Sequence, residues 1–256
     1  MKLILMIVLA GNLFSSCHKS STNTETTNPG PAKGYITGKV TDTHGSNLQG
    51  VKVYAYNHAF SGAVTGVTDA NGNYKLQLDQ IIGGSWSVYG ELTKTYNGKS
   101  LIFRIDSENQ DPLTKDGGVR NMSWKLTGVI PGSNTDSRIG GYLSVYVDGN
   151  EYIPIEDIEF TLVPSGPLVD NSTGSTIVAR GVKYPTELAG MYQQHGLRDI
   201  PVGRYTITAR YKPSNSAAAD MKIRLRGTDN YQSGITADFI QGLPERWQKI
   251  ELDIIK

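Results

Sequence analysis

Tyr74-Lys75-Leu76-Gln77-Leu78 alternates apolar and polar side chains without a break. Successive side chains of a β-strand point to opposite faces of the sheet, so this alternation indicates a strand that is buried on one side only. The same period of two recurs on either side of this stretch, whereas a sustained helical period is absent. In the first half of the chain, the apolar faces comprise Ile36, Gly38 and Val40; Val51, Val53 and Ala55; Tyr74, Leu76 and Leu78; Leu101, Phe103 and Ile105; and Met122, Trp124 and Leu126.

A second series of alternating segments follows a stretch rich in turn-forming residues at 129–138. Its apolar faces comprise Leu143, Val145 and Val147; Ile158, Phe160 and Leu162; Tyr205, Ile207 and Ala209; Met221, Ile223 and Leu225; and Ile250, Leu252 and Ile254. Half-buried strands in this number must pair their apolar faces with a second sheet. We therefore predict an all-β protein with two tandem β-sandwich domains, at 34–128 and 139–256, joined by a linker at 129–138.

The first predicted domain carries a spaced motif between residues 36 and 76. It reads Ile36-x-Gly38-x-Val40-x-Asp42, then Gly45, Leu48, Gly50-Val51-x-Val53 and Thr68-Asp69-x-Asn71-Gly72-x-Tyr74-x-Leu76. This motif resembles that of the carboxypeptidase regulatory-like domain, a transthyretin-like β-sandwich of exported bacterial proteins. The resemblance implies a transthyretin-like or immunoglobulin-like sandwich without peptidase activity. Asn71-Gly72 also suits a hairpin turn that needs positive φ at both central residues.

The N-terminus has the layout of a secretory signal: Met1 and Lys2 precede an apolar run at 3–10 that is too short to span a membrane. The segment Leu13-Phe14-Ser15-Ser16-Cys17 resembles the bacterial lipobox, and Cys17 is the single cysteine of the chain. We predict a lipoprotein signal peptide at 1–16, a lipid on Cys17 and a flexible tether at 17–33. The predicted location is the outer membrane of the cell envelope, in either leaflet. The alternative is an ordinary signal peptide that is cleaved near Ser16.

Charge and motif content exclude several classes of function. The chain has 25 basic and 24 acidic residues, so we predict no nucleic-acid partner. The four histidines are scattered, and the sequence lacks both a Gly-x-Ser-x-Gly turn and a phosphate-binding loop. We therefore predict no metal site, no cofactor and no catalytic residue. A hydrolase whose carboxylates come together only in space remains an alternative.

One face of the second domain is the candidate ligand surface. The strand period predicts that five basic residues point outward as a stripe: Arg210, Lys212, Lys222, Arg224 and Arg226. The same period places Trp247 outward, where an indole beside guanidinium groups could stack against sugar rings. Tyr184 and Tyr192 lie in the long segment 163–196 that could contribute to the site. The alternative is that outward acidic residues such as Glu251 and Asp253 neutralise the stripe, and that segment 163–196 covers Trp247.

These observations favour a non-catalytic envelope lipoprotein. It would bind glycan or dock another envelope protein, with polysaccharide uptake as one setting. The alternative is a structural or adhesive spacer that takes no small ligand, and the hydrolase is the third hypothesis.

Overall fold

The computed structural model confirms the predicted all-β class. It describes residues 32–78, 83–133, 137–149, 152–184, 195–228, 230–242 and 247–256, which belong to one compact unit, Pro31–Lys256. A single 3-10 turn, Ile155–Asp157, interrupts the strands of this part of the chain. None of the described residues forms a helix with the length and hydropathy to cross a membrane. The predicted signal peptide, Cys17, the tether up to residue 31 and Tyr192 lie outside the described residues.

Two sheets form the first half. The described strands are β1 (Tyr35–Thr41), β2 (Lys52–Asn57), β3 (Gly62–Val67), β4 (Asn73–Gln77), β5 (Trp86–Tyr96), β6 (Lys99–Asp106), β7 (Gly117–Val119) and β8 (Met122–Ser123). One sheet has the order β4-β1-β7, and β8 also pairs with β1. The other has the order β3-β2-β5-β6. Pairing is antiparallel except that β7 and β8 run parallel to β1.

Two further sheets form the second half. The described strands are β9 (Gly141–Val147), β10 (Ile158–Pro164), β11 (Ile177–Arg180), β12 (Val182–Lys183), β13 (His195–Ile200), β14 (Arg204–Tyr211), β15 (Ala219–Asp220), β16 (Lys222–Leu225), β17 (Ile235–Asp238), β18 (Ile240–Gln241) and β19 (Gln248–Ile255). The six-stranded sheet has the order β12-β13-β9-β19-β16, with β18 on β19. The five-stranded sheet has the order β11-β10-β14-β15, with β17 on β14. No described sheet mixes strands from the two halves.

The predicted apolar faces form the core almost throughout. Val51, Val53, Phe160 and Leu252, for example, are all fully buried. One prediction is wrong: Leu225 at the end of β16 is 37% exposed, because the strand ends there and the chain turns away. Buried residues of both halves belong to one continuous cluster, so the two predicted sandwiches share a core boundary. Their assignment as separate domains stays a prediction.

The turn at Asn71-Gly72 differs from the predicted hairpin. Gly72 has a φ of 73°, but Asn71 does not have a positive φ, and the flanking strands β3 and β4 belong to different sheets. The Asp69 carboxylate accepts hydrogen bonds from the backbone N–H groups of Asn71 and Asn73, at 2.9 and 2.8 Å. The motif therefore reverses the chain between the two sheets, through side-chain capping of the turn.

A pair of glutamines fastens the second half to the first. Ile102 lies on β6, at the edge of its sheet, and its N–H donates to Oε1 of Gln241 at 2.7 Å. Its carbonyl accepts from Nε2 of Gln248, also at 2.7 Å. Gln241 and Gln248 lie opposite each other in the β18–β19 pair, so both amides reach the same backbone unit. We call this contact the glutamine clasp. It satisfies the N–H and the carbonyl of Ile102, which on an edge strand have no neighbouring strand to pair with.

The tip of the β5–β6 hairpin adds contacts to the second half. Asn97 and Gly98 have φ angles of 47° and 76°, as a two-residue hairpin turn requires. The Tyr96 hydroxyl donates to the carbonyl of Pro167 at 2.7 Å, and Nδ2 of Asn97 donates to Asp238 at 2.7 Å. The hairpin therefore docks through its tip as well as along its edge.

Asp199 secures the segment between the halves. Its carboxylate accepts hydrogen bonds from the N–H groups of Gly128, at 2.8 Å, and Gly140, at 3.1 Å, and pairs with Arg138 at 3.7 Å. Asp199 has a φ of 62°, a conformation that costs free energy for a residue with a side chain. It lies where the β13–β9 register shifts, so the irregular backbone aims the carboxylate at the linker.

Candidate binding surfaces

Trp247 is buried, which corrects the predicted exposed platform. Its side chain is 5% exposed and packs edge-on against Tyr142, with ring centroids 6.2 Å apart. Tyr184, 7% exposed, also packs edge-on against Tyr142, with ring centroids 5.4 Å apart, and its hydroxyl donates to the carbonyls of Leu143 and Leu197 at 2.7 and 3.0 Å. Trp247 does lie on the face away from the main core, as the strand period predicted. That face carries a small second core, to which Tyr184 of segment 163–196 contributes, as the alternative predicted.

The predicted basic stripe is divided between two sheets. Arg210 lies on β14 of the five-stranded sheet, whereas Arg224 lies on β16 of the six-stranded sheet. Arg210 pairs with Asp220 at 2.9 Å, and Lys212 pairs with Glu159 at 3.0 Å. The prediction of a single stripe is therefore wrong. Carboxylates on neighbouring strands pair with four of its five members, Arg210, Lys212, Arg224 and Arg226, whereas Lys222 lies opposite Ile255.

Arg224 and Arg226 come together in a cleft of about 480 Å³, which we call the arginine cleft. Asp253 on its floor bonds both, at 3.1 Å to Arg224 and 2.8 Å to Arg226. The Arg226 guanidinium lies 3.4 Å from the ring centroid of Tyr146. The Arg226 guanidinium therefore has two partners, the face of an aromatic ring and a buried carboxylate. Among the described candidate residues, Arg224 and Arg226 therefore line a common cleft, and Trp247 and Tyr184 share the second core.

Asp148, which lines the arginine cleft, is hydrogen-bonded to the neighbouring Tyr231. The Tyr231 hydroxyl donates to Asp148 at 2.7 Å, and Arg224 stacks on the Tyr231 ring at 4.4 Å. This hydrogen bond, together with one from the Gly149 N–H, lowers the pKa of Asp148. Burial and the neighbouring Asp148 raise the pKa of Tyr231 to about 12. The two arginines and two aspartates that line the cleft therefore balance in charge, and arginines already cover the rings of both Tyr146 and the adjoining Tyr231.

A second surface lies on the outer face of the β3-β2-β5-β6 sheet. Tyr54 and Tyr89 stack with centroids 4.9 Å apart and planes at 12°. Arg104 lies 3.9 Å from the Tyr89 ring, and Lys52 lies 4.8 Å from the Tyr54 ring. We call these four residues the tyrosine row. Glu91 accepts a hydrogen bond from the Tyr54 hydroxyl at 2.8 Å and so fixes the row in place.

The neighbour of the tyrosine row, Tyr56, is an exposed ring. It is 41% exposed and is flanked across the strands by the small residues Ala63 and Ser87. His58 contacts it edge-on, with centroids 5.6 Å apart. This surface was not predicted from the sequence, although Lys52, Tyr54 and Tyr56 alternate with the buried residues of β2 and so indicate an outward-facing row.

The described residues contain no group of three or more His, Cys, Asp or Glu side chains that could hold a metal ion. Burial lowers the pKa of His195, and the nearby Lys183 adds to this effect, while Glu156 opposes it. His195 therefore favours the neutral imidazole.

No family model matches the sequence, and no curated protein matches it. Solved structures match weakly. The C-terminal fragment of the pilus adhesin SpaC from Lactobacillus rhamnosus GG is 12% identical, with 86% of this chain and 96% of that chain covered and a TM-score of 0.27. The Bacillus anthracis TIE protein is 14% identical, with 88% and 34% covered and a TM-score of 0.31.

A 9R-lipoxygenase from Cyanothece PCC8801 also matches, at 13% identity, with 41% of this chain covered and a TM-score of 0.27. The chain spans 18% of the lipoxygenase and 34% of the TIE protein. These scores assign the chain to no family, and nothing about its activity follows from them.

Proposed function

We propose that the chain is a non-catalytic module of the cell envelope that acts as a structural or adhesive spacer. The observation that carries this proposal is the glutamine clasp, in which Gln241 and Gln248 bind the backbone of Ile102 from across the half-to-half boundary. A spacer must hold its two ends in a fixed relation, and hydrogen bonds from side chains of one half to the backbone of the other resist hinge motion between the halves. The docked hairpin tip and the Asp199 contacts support the same role.

Two findings favour the spacer over the glycan-binding hypothesis. Trp247, the proposed sugar platform, is buried, and Arg210, Arg224 and Arg226 are paired with carboxylates. A ligand at the arginine cleft would have to break the Arg226–Asp253 ion pair or bind only to the exposed parts of the residues that line the cleft. Opening a pair that shares a buried carboxylate costs free energy, which weakens any such complex.

Rigidity can be measured by spin-label distances across the boundary. Labels on Thr65→Cys and Lys222→Cys, in a Cys17→Ser background, are both on exposed positions of opposite halves. We expect one narrow distance distribution, no broader than that of a control pair within the first half, Thr65→Cys and Asn73→Cys. A broad or bimodal distribution for the first pair would show a hinge and would contradict the spacer role.

Docking of glycan or of an envelope protein is the second candidate function, and the exposed Tyr56 ring favours it. Aromatic rings stack on the apolar faces of sugars and anchor protein interfaces. A glycan array with the wild-type chain and the Tyr56→Ala variant tests this candidate. Tyr152→Ala is the matched control, because Tyr152 is 81% exposed and lies outside the tyrosine row. A hit that Tyr56→Ala abolishes and Tyr152→Ala retains would support binding; broad panels without a hit would remove the glycan candidate.

Attachment through a lipid on Cys17 is part of the proposal. Its support is the lipobox-like segment before a lone cysteine. Metabolic labelling with a fatty-acid analogue should mark the wild-type chain and not Cys17→Ser, and the variant should leave the membrane fraction. An unacylated mature N-terminus in intact-mass analysis would contradict the lipid anchor. The spacer role would be unaffected, because the spin-label distances test it separately.

Membership of the carboxypeptidase regulatory-like family is also proposed. Its support is that the motif residues play structural parts: the Thr68 hydroxyl donates to the Leu48 carbonyl at 2.7 Å and accepts from the Val51 N–H at 3.0 Å. The Asp42 carboxylate accepts from the N–H groups of His44 and Ser46. Because these motif residues stabilise turns through hydrogen bonds to the backbone, they support a family motif that specifies the fold and has no catalytic role.

A further inference from the structure

In each half, the first strand of the structure pairs in parallel with the last. β1 pairs with β7 and β8 in the first half, and β9 pairs with β19 in the second. The remaining strand pairs of the described residues are antiparallel. We call the two parallel pairs the terminal ladders.

The terminal ladder of the second half is long and buried. Six residue pairs run in register from Tyr142↔Lys249 to Val147↔Ile254, and the Asp148 N–H extends it by donating to the Ile254 carbonyl at 2.8 Å. Both strands are interior to their sheet, with β13 beyond β9 and β16 beyond β19. Leu143, Val145 and Leu252 are fully buried, so water cannot readily replace these backbone hydrogen bonds.

The direction of the strands decides how a pulling force acts on this ladder. The chain enters β9 at Gly141 and leaves β19 at Ile255, and in a parallel pair these two points are at opposite ends of the ladder. Pulling them apart slides one strand along the other, so that all the ladder bonds are strained together. An antiparallel terminal pair would have both points at the same end and would open one bond at a time.

We infer that each half is built to withstand tension between its own two ends, with the terminal ladder as the element that must break first. This function rests on the proposed spacer role for its biological setting, since a surface module held at one end and bound at the other is pulled. The mechanical property itself belongs to the strand arrangement and can be measured separately from the rigidity of the boundary.

The two ladders differ, and the difference sets an order of failure. The first ladder has three pairs with β7 and two with β8, and the strand is interrupted at Arg120 and Asn121. The interruption is partly bridged, because the Arg120 N–H donates to the Thr37 carbonyl at 2.8 Å and the Lys39 N–H donates to Asn121 at 3.0 Å. With fewer register pairs and a break, the first half should yield before the second.

Single-molecule pulling on the full chain tests the inference. In a Cys17→Ser background, handles on Ala32→Cys and Lys256→Cys load both terminal ladders in shear. We expect two unfolding events. In the first, residues 35–124 unfold and the chain lengthens by about 300 Å; in the second, at higher force, Gly141–Ile255 unfolds and the chain lengthens by about 400 Å, at roughly 3.5 Å per extended residue. Forced unfolding is governed by the unfolding rate, so the two forces report the two barriers directly.

A second handle pair on the same chain is the matched control. Tyr152→Cys replaces an 81% exposed side chain shortly after β9, and with Lys256→Cys it pulls on the ends of β9 and β19 that lie together. The same ladder is then peeled open, and its unfolding force should shift down, with a lengthening of about 370 Å at the same length per residue. Equal forces in the two geometries would overturn the inference, as would a second half that unfolds before the first. Neither outcome would affect the distance measurement that tests the spacer.

Discussion

Replacing Gln248 by alanine should weaken the attachment between the two halves and leave the interior of each half intact. Gln248 is 1% exposed, and its Nε2 donates to the Ile102 carbonyl at 2.7 Å. Alanine leaves that carbonyl without its donor. An unsatisfied buried acceptor costs about 1–3 kcal/mol, and the lost side-chain volume adds to the cost. For a folded unit of this size, about 1–3 kcal/mol lowers the melting temperature by roughly 2–12 °C.

Differential scanning calorimetry and urea unfolding with two probes measure this effect. We expect one cooperative transition for the wild-type chain, because the halves unfold together while the glutamine clasp holds. In Gln248→Ala, the transition should move down and separate into two, since the coupling free energy falls while each core is kept. Gln248→Glu should act in the same direction, because the carboxylate cannot donate to the carbonyl.

Gln77→Ala is the matched control, because Gln77 is an exposed glutamine on β4. Its substitution should change stability by less than about 0.5 kcal/mol, as is usual at exposed positions. Equal effects of Gln77→Ala and Gln248→Ala would refute the reasoning. So would a Gln248→Ala variant that loses stability yet still unfolds in a single transition by every probe, since the clasp would then not be what couples the halves.

Three other outcomes are expected. Trp247→Ala should lower stability by about 3–5 kcal/mol in urea unfolding, because it removes a buried indole that packs on Tyr142, whereas an exposed Trp247 would make the change nearly neutral. Gly141→Ala should cost about 1–3 kcal/mol or more, because a new Cβ would collide with the buried ring of Phe239; a neutral result would place that ring elsewhere. Burial raises the pKa of Tyr205 from 10.0 to about 12, so the native state holds its proton where the unfolded state has lost it. The protonated hydroxyl therefore contributes fully to stability below about pH 10, and this contribution declines as the pH rises toward 12. The midpoint of urea unfolding should be lower at pH 11 than at pH 9, and Tyr205→Phe should reduce this difference.

The strand faces could be predicted because burial on one side imposes a period of two that is visible in the sequence itself. The longest described strand, β5, was missed for a local reason. Its inward series includes Gly90, where a Cβ would lie 2.7 Å from a Val51 methyl, and its outward series includes Tyr89 of the tyrosine row. Because Gly90 faces inward and the aromatic Tyr89 faces outward, β5 does not show the alternation of apolar and polar residues that identifies the other strands.

The candidate site was less predictable because it depends on which strands become neighbours. The period correctly placed Trp247 on the face away from the main core, but Tyr184, from a distant segment, packs over that face. The arginines of β14 and β16 are close in sequence, yet they enter different sheets. Their neutralisation by Asp220 and Asp253 follows from register, which the sequence pattern does not specify.

The glutamine clasp also predicts how the first half behaves when it is expressed without the second half. Residues 34–128 expressed without their partner would present the outer side of β6 to solvent, with the peptide of Ile102 among its unpaired groups. Open strand borders recruit other strands, and β3 at the opposite border of the same sheet has neither a charged residue nor a proline. Such a fragment should self-associate more readily than the whole chain, so the second half also serves the first as a cover over the β6 border.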